Sequence, residues 1–212
     1  MVLSIQHPEL LTITDEVSGE RHFGGFQEWY ALEWNRLSGC GPTCAANVLS
    51  YLALTRPELR PLYPYETMDI GDFTRFMEDV FPFVKPGKMG LNRVEMFSDG
   101  ITGFAQNRGI ALKPQVFRVS GCRSGNREGT AELAEFVRAG LKADCPLGFL
   151  NLSRGKEKTL QNWHWITVTA ADMEEEKLIA CASDEGKEIR FDLKLWFLTT
   201  RMSGGLVYFE TD

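Results

Sequence analysis

The chain has 212 residues, 43% hydrophobic and 25% charged, long enough to bury roughly two-thirds of the surface that its unfolded form exposes. That composition excludes a disordered tail, a coiled-coil rod and a disulfide-stapled miniprotein. Lys and Arg number 23 against 29 Asp and Glu, a net charge of -6, which speaks against general affinity for nucleic acid or an anionic membrane.

In chain order, the first segment, 1–14, has no basic region and Glu9 interrupts its short apolar run, so it does not read as a secretory signal. Residues 10–30 read as short extended pieces around Ser18-Gly19-Glu20 and Gly24-Gly25. Ser38-Gly39-Cys40-Gly41-Pro42-Thr43 reads as a loop entering a helix over 43–54, with Pro42 at the first helical position and Pro57 as the stop. Further helices are predicted over 72–80 and 93–107, the second weakened at Gly100 and Gly103. Residues 111–119 read as extended and 121–129 as a polar loop. An amphipathic helix over 130–141 takes Thr130 as its N-cap.

From Pro146 the hydrophobic period changes to two. Strands are predicted over 147–152, 163–170, 177–182, 188–191 and 206–210, with a polar loop over 153–161. Nowhere is there a run of about 18 apolar residues to span a bilayer. The order, helices then strands, predicts an α+β fold in one domain over 1–212. A helical lobe over about 30–145 would face an antiparallel sheet or open barrel over about 146–212, which the strands of 10–30 can join.

The chemistry centres on Cys40. A sulfur just ahead of a helix meets unpaired N–H groups and the positive end of the helix dipole, which stabilise a thiolate. Gly39 and Gly41 remove bulk on either side. By itself Cys40 fits a packed core thiol equally well. A nucleophilic thiolate needs a proton donor for the leaving group, and the three histidines are His7, His22 and His164. His7 and His22 fall in exposed segments, whereas His164 opens the apolar strand after the polar loop.

If the following hairpin turns at residue 174, His164 faces Asp184 across it, and the two share an otherwise apolar face. A carboxylate there would fix the imidazole's tautomer and orientation. A one-residue slip would reverse the face, and Ser183-Asp184-Glu185-Gly186 is also an ordinary turn sequence.

Ser38-Gly39-Cys40-Gly41-Pro42-Thr43 with its Ala-rich helix resembles the nucleophile region of papain-like cysteine peptidases. Trp163-His164-Trp165-Ile166-Thr167-Val168, then Asp184 and Gly205-Leu206-Val207-Tyr208-Phe209, resemble the bacterial branch containing the bacteriocin-leader (double-glycine) processing peptidases and their free-standing relatives. The resemblance covers about 30–210. It implies a papain-like fold with Cys40 as nucleophile, His164 as base and acid, and Asp184 as orienter. Such peptidases usually carry an oxyanion-hole Gln six residues before the cysteine, where this chain has Trp34. Asn35 is the candidate substitute, and Gln27 lies farther away.

The expected activity is thiol-dependent hydrolysis of a peptide or peptide-like amide through a thioacyl intermediate. The alternatives are an acyltransferase or transglutaminase-like enzyme using the same three residues, and a non-catalytic binding module. No cofactor or metal is expected, since Cys40 and Cys44 alone are too few ligands for zinc. A peptide substrate is expected, with no nucleic-acid or membrane partner, and loops 119–129 and 153–161 are candidate cleft walls. Cys44, Cys145 and Cys181 read as core thiols and Cys122 as a loop thiol. The five cysteines form no paired framework, which fits a reducing, cytoplasmic compartment.

Overall fold

Where the apolar period is two, the chain builds a sheet; where it is three to four, it builds the helices that cover that sheet. The computed structural model describes residues 1–121, 128–174 and 177–211. It opens with β1 (Val2–Ser4) and a small hairpin of β2 (Thr12–Thr14) and β3 (Arg21–Phe23). Four helices follow: α1 (Glu33–Ser38), α2 (Cys40–Thr55), α3 (Ile70–Val80) and α4 (Val94–Asn107). Next come β4 (Lys113–Val119), α5 (Thr130–Lys142), β5 (Leu147–Asn151), β6 (His164–Glu174) and β7 (Lys177–Asp184). The chain closes with β8 (Lys187–Asp192), α6 (Leu193–Thr199) and β9 (Gly204–Glu210).

Among the described residues the main sheet has seven strands, in the order β4-β9-β5-β6-β7-β8 with β1 added beside β6. Every pairing is antiparallel, and β4 and β8 end the order, so the sheet is open rather than a closed barrel. β5 pairs with β6 along 164–168 and β1 with it along 170–172. This is the α+β class that the sequence predicts, and the helix bearing Cys40 packs against β6 and β5.

α2 is buried on all sides, with Ala45, Ala46, Val48, Leu49 and Leu52 in the core, as expected of a helix enclosed by protein. α3 buries one stripe, Phe73, Phe76, Met77 and Val80, at helical spacing. The opposite face of the sheet is closed by α5 and α6. Trp196 of α6 packs edge-on to Phe149 with centroids 4.6 Å apart, and Phe191 stacks on the same ring at 5.4 Å.

Several elements differ from the sequence reading. α2 begins at Cys40 itself, so Pro42 is its third residue; its missing N–H is still harmless, because first-turn N–H groups lack helical acceptors. The segment before Cys40 is helical too, and Gly39 alone separates α1 from α2. α4 runs unbroken through Gly100 and Gly103. A side chain at 100 would press on the Phe83 carbonyl at 2.7 Å, so that glycine serves close packing rather than a break. Gly129, at φ 101°, precedes α5, and Thr130 is its first helical residue rather than its cap. α6 was not predicted. Cys122, Arg123 and Arg127 lie outside the described residues. No helix of the described residues is long and apolar enough to cross a membrane.

Candidate functional site

Three segments distant in sequence meet at one end of the main sheet. The first is the α1–α2 junction. Half-buried Cys40 is the first residue of a 16-residue helix, at its electropositive end and beside N–H groups with no helical acceptor. Its flanking glycines are demanded by packing. A side chain at 39 would strike the Asn35 carbonyl and the Tyr30 ring, and one at 41 would come within 2.5 Å of Leu91 Cδ2.

The second and third segments are the start of β6 and the end of β7. His164 Nε2 and Asp184 Oδ1 lie 2.6 Å apart, with only 10% and 9% of the two side chains exposed. A hydrogen bond this short, shielded from water, is of the charge-assisted kind. With Nε2 engaged, Nδ1 is the ring nitrogen left for the Cys40 thiol, the ring's other close partner. Burial of the ring opposes its charged form. Hydrogen bonding and charge from Asp184 and Cys40 outweigh that burial and raise the ring's pKa from 6.5 to about 10.

The register that brings the pair together is not the one read from the sequence. The β6–β7 hairpin begins with Glu174 opposite Lys177 and Ala170 opposite Cys181. A bulge at Thr169 then shifts the pairing by one, giving Val168 opposite Ala182 and Thr167 opposite Ser183. One further step sets Asp184 level with Ile166, two residues from His164 and on the same face. The partners are therefore diagonal neighbours rather than directly opposed. Were Thr169 paired like its neighbours, Asp184 would sit level with Thr167 and point to the other side of the sheet. Glu185 and Gly186, at φ 48° and 74°, then form a two-residue turn of the kind that favours glycine and leads directly into β8.

Beneath this pair lies a buried polar network that the sequence reading missed. Asn47 of α2 accepts from the Gly25 N–H at 2.8 Å and donates to Thr167 Oγ1 at 3.1 Å and Ser183 Oγ at 3.4 Å. Ser183 in turn donates to the Phe23 carbonyl at 2.6 Å. One amide thus ties α2, β6, β7 and the turn after β3. The available signal was Asn47 itself, a polar residue within the apolar run Ala45-Ala46-Asn47-Val48-Leu49. A small cleft of about 20 Å³ is lined by Cys40, His164, Asp184, Asn47, Gln27 and Glu185, among others, room for about one water.

Asn35 is not brought to this cleft. Its buried amide donates to Glu78 Oε2 at 3.1 Å, as a buried polar group requires a partner. Gln27, which the sequence reading ranked lower, does line the cleft. Its Nε2 donates to the Arg36 carbonyl at 2.8 Å, and a second amide hydrogen remains.

Burial pushes Cys44 and Cys145 up to about 12 and raises Cys181. His164, Asp184 and Glu185 offer ligand atoms within 4.8 Å of one another. With Nε2 and Oδ1 bonded to each other, a cation taking those atoms would have to break that bond.

No family model matches the chain, and no curated protein matches it. Among solved structures it is similar to UfSP from C. elegans, with 9% identity and a TM-score of 0.49, covering 100% of this chain and 34% of that one. The chain therefore spans about a third of that protein's length, and a likeness this distant carries nothing about activity.

Proposed function

We propose that the chain is a papain-like thiol hydrolase that cleaves a peptide or peptide-like amide. Cys40 Sγ attacks the carbonyl carbon, and the carbonyl oxygen becomes an oxyanion facing the N–H groups at the start of α2. Protonated His164 gives its proton to the departing amine, leaving a thioester on Cys40. The neutral ring then takes a proton from water, whose hydroxide oxygen attacks the thioester and releases the acid and the thiolate. Asp184 holds the ring and stabilises its charged state throughout. Gln27 is the side-chain donor to the oxyanion in this scheme. Within it, a leader-peptidase-like role follows from the resemblance around Cys40 and His164.

The observation that carries the reading is the buried 2.6 Å bond between His164 and Asp184 beside a cysteine at a helix start. A limiting amount of iodoacetamide, followed by peptide mapping, tests it. Cys40 should label at least tenfold faster than any other thiol, and Cys40→Ala should abolish peptide hydrolysis. Equal labelling of all thiols, or hydrolysis that survives Cys40→Ala, defeats the proposal.

A further inference from the structure

A second depression opens on the other side of Cys40. It measures about 270 Å³, and Cys40 and Trp165 line both it and the small polar cleft. Its walls are unusual for a protein surface. Trp34, Leu37, Met89 and Trp163 all line it and remain between 44% and 73% exposed. Four large apolar side chains left in water around one groove mark a binding surface rather than a stray exposure. Lys88 is the one formally charged group among its described lining residues.

The backbone shows the same bias. Trp163 holds φ 57°, a left-handed conformation rarely adopted by a bulky residue and stored mostly at functional sites. That turn comes one residue before His164 and leaves the indole at the groove rim instead of in the sheet. Trp34 stands six residues before Cys40 and supplies the facing wall.

Resting on the hydrolase reading, we infer that this groove seats a substrate segment carrying a large apolar side chain beside the bond to be cut, with an acidic rather than a basic neighbour facing Lys88. The groove is continuous with the sulfur, so its occupant is held against the nucleophile. Aromatic and aliphatic walls fit Leu- or Phe-sized groups, and the lone ammonium selects the sign of charge nearby.

The test reads the groove without requiring hydrolysis. Small disulfides bearing a methyl, a leucyl-succinate or a leucyl-amine group exchange with Cys40 of the full chain under rising 2-mercaptoethanol. The Cys40 thiolate forms the mixed disulfide and releases the second thiol. The leucyl-succinate adduct should persist to at least tenfold more reductant than the methyl adduct, and longer than the leucyl-amine one. Leu37→Ser and Met89→Ser should each shrink the first ratio severalfold, and Lys88→Glu should reverse the charge preference.

Equal persistence of leucyl and methyl adducts overturns the groove assignment, as does a ratio that the two serine variants leave intact. A concentration-dependent dimer in sedimentation that Leu37→Ser dissolves assigns the groove to a second copy and also overturns it. These outcomes are separate from failure of the hydrolase proposal, which shows as unselective iodoacetamide labelling or as hydrolysis surviving Cys40→Ala.

Discussion

At the scale of single residues, His164 is the group most changed by its surroundings. Its folded-state pKa stands above the unfolded value, so its contribution to stability is complete below pH 6.5 and drains away as pH rises to about 10. The sign gives a clear expectation. The Tm advantage of the parent over His164→Gln should be largest near pH 6 and shrink steadily toward pH 10 in scanning calorimetry. An advantage that is flat or grows over that range contradicts a protonated ring held by Asp184 and Cys40.

Two amides near Cys40 make a second contrast. If Gln27 serves the oxyanion, Gln27→Ala should lower kcat about a hundredfold with little change in KM. Asn35→Ala should leave kcat within a fewfold of the parent and cost about 0.5–1.5 kcal/mol of stability by removing its bond to half-buried Glu78. Steady-state kinetics on both, with urea unfolding of the second, decides between them. The reverse pattern would return the oxyanion role to Asn35.

At the scale of elements, the meeting of His164 with Asp184 depends on how β6 pairs with β7. The bulge at Thr169 changes the parity of pairing between the hairpin end and the site end of the strand, so it selects the face on which Asp184 emerges. Deleting Thr169 removes the unpaired residue but keeps Val168 opposite Ala182 and Ala170 opposite Cys181. Asp184 then stays level with Ile166, so both hydrolysis and the selective alkylation of Cys40 should remain within a fewfold of the parent. A deletant that loses hydrolysis about a hundredfold with an unchanged far-UV circular dichroism spectrum would show that the bulge itself, and not the register, positions His164.

Periodicity made β5, β6, β7 and β9 legible, because their apolar runs are long and bounded by polar loops. It could not reveal the bulge, since Val168-Thr169-Ala170 is ordinary strand sequence and the irregularity arises from pairing. The pairing of His164 with Asp184 was nonetheless reached, because the assumed register was wrong by an even number at that point. α1 and α6 were missed for a different reason. Each is two turns or less, and Glu33–Ser38 and Leu193–Thr199 gain their helical state from packing rather than from a strong local pattern.

For the molecule as a whole, the sheet is the common support of both helical layers. Phe149 is fully buried between α6 and the sheet, with ring partners Phe191 and Trp196. Phe149→Ala should cost about 3–5 kcal/mol and do so in a single unfolding transition, seen alike by tryptophan fluorescence and circular dichroism. Separate transitions would mean that the helical and β halves melt independently. The α+β class was readable in the sequence, and Cys40 and His164 stood out as candidates because a helix start and a strand start carry them. Spacing from Cys40 along the chain put Asn35 forward, but it says nothing of the neighbour, Glu78, that α3 brings beside it.

The separation of the three segments has a consequence for how the molecule is made. Cys40 leaves the ribosome 124 residues ahead of His164 and 144 ahead of Asp184. At about 5–20 residues per second, the sulfur exists for roughly 7 to 29 seconds without the imidazole–carboxylate pair that would arm it. Under the hydrolase proposal, the nascent polypeptide is thus harmless to itself and to its neighbours, and the capacity to cut arrives only once Asp184 has been made.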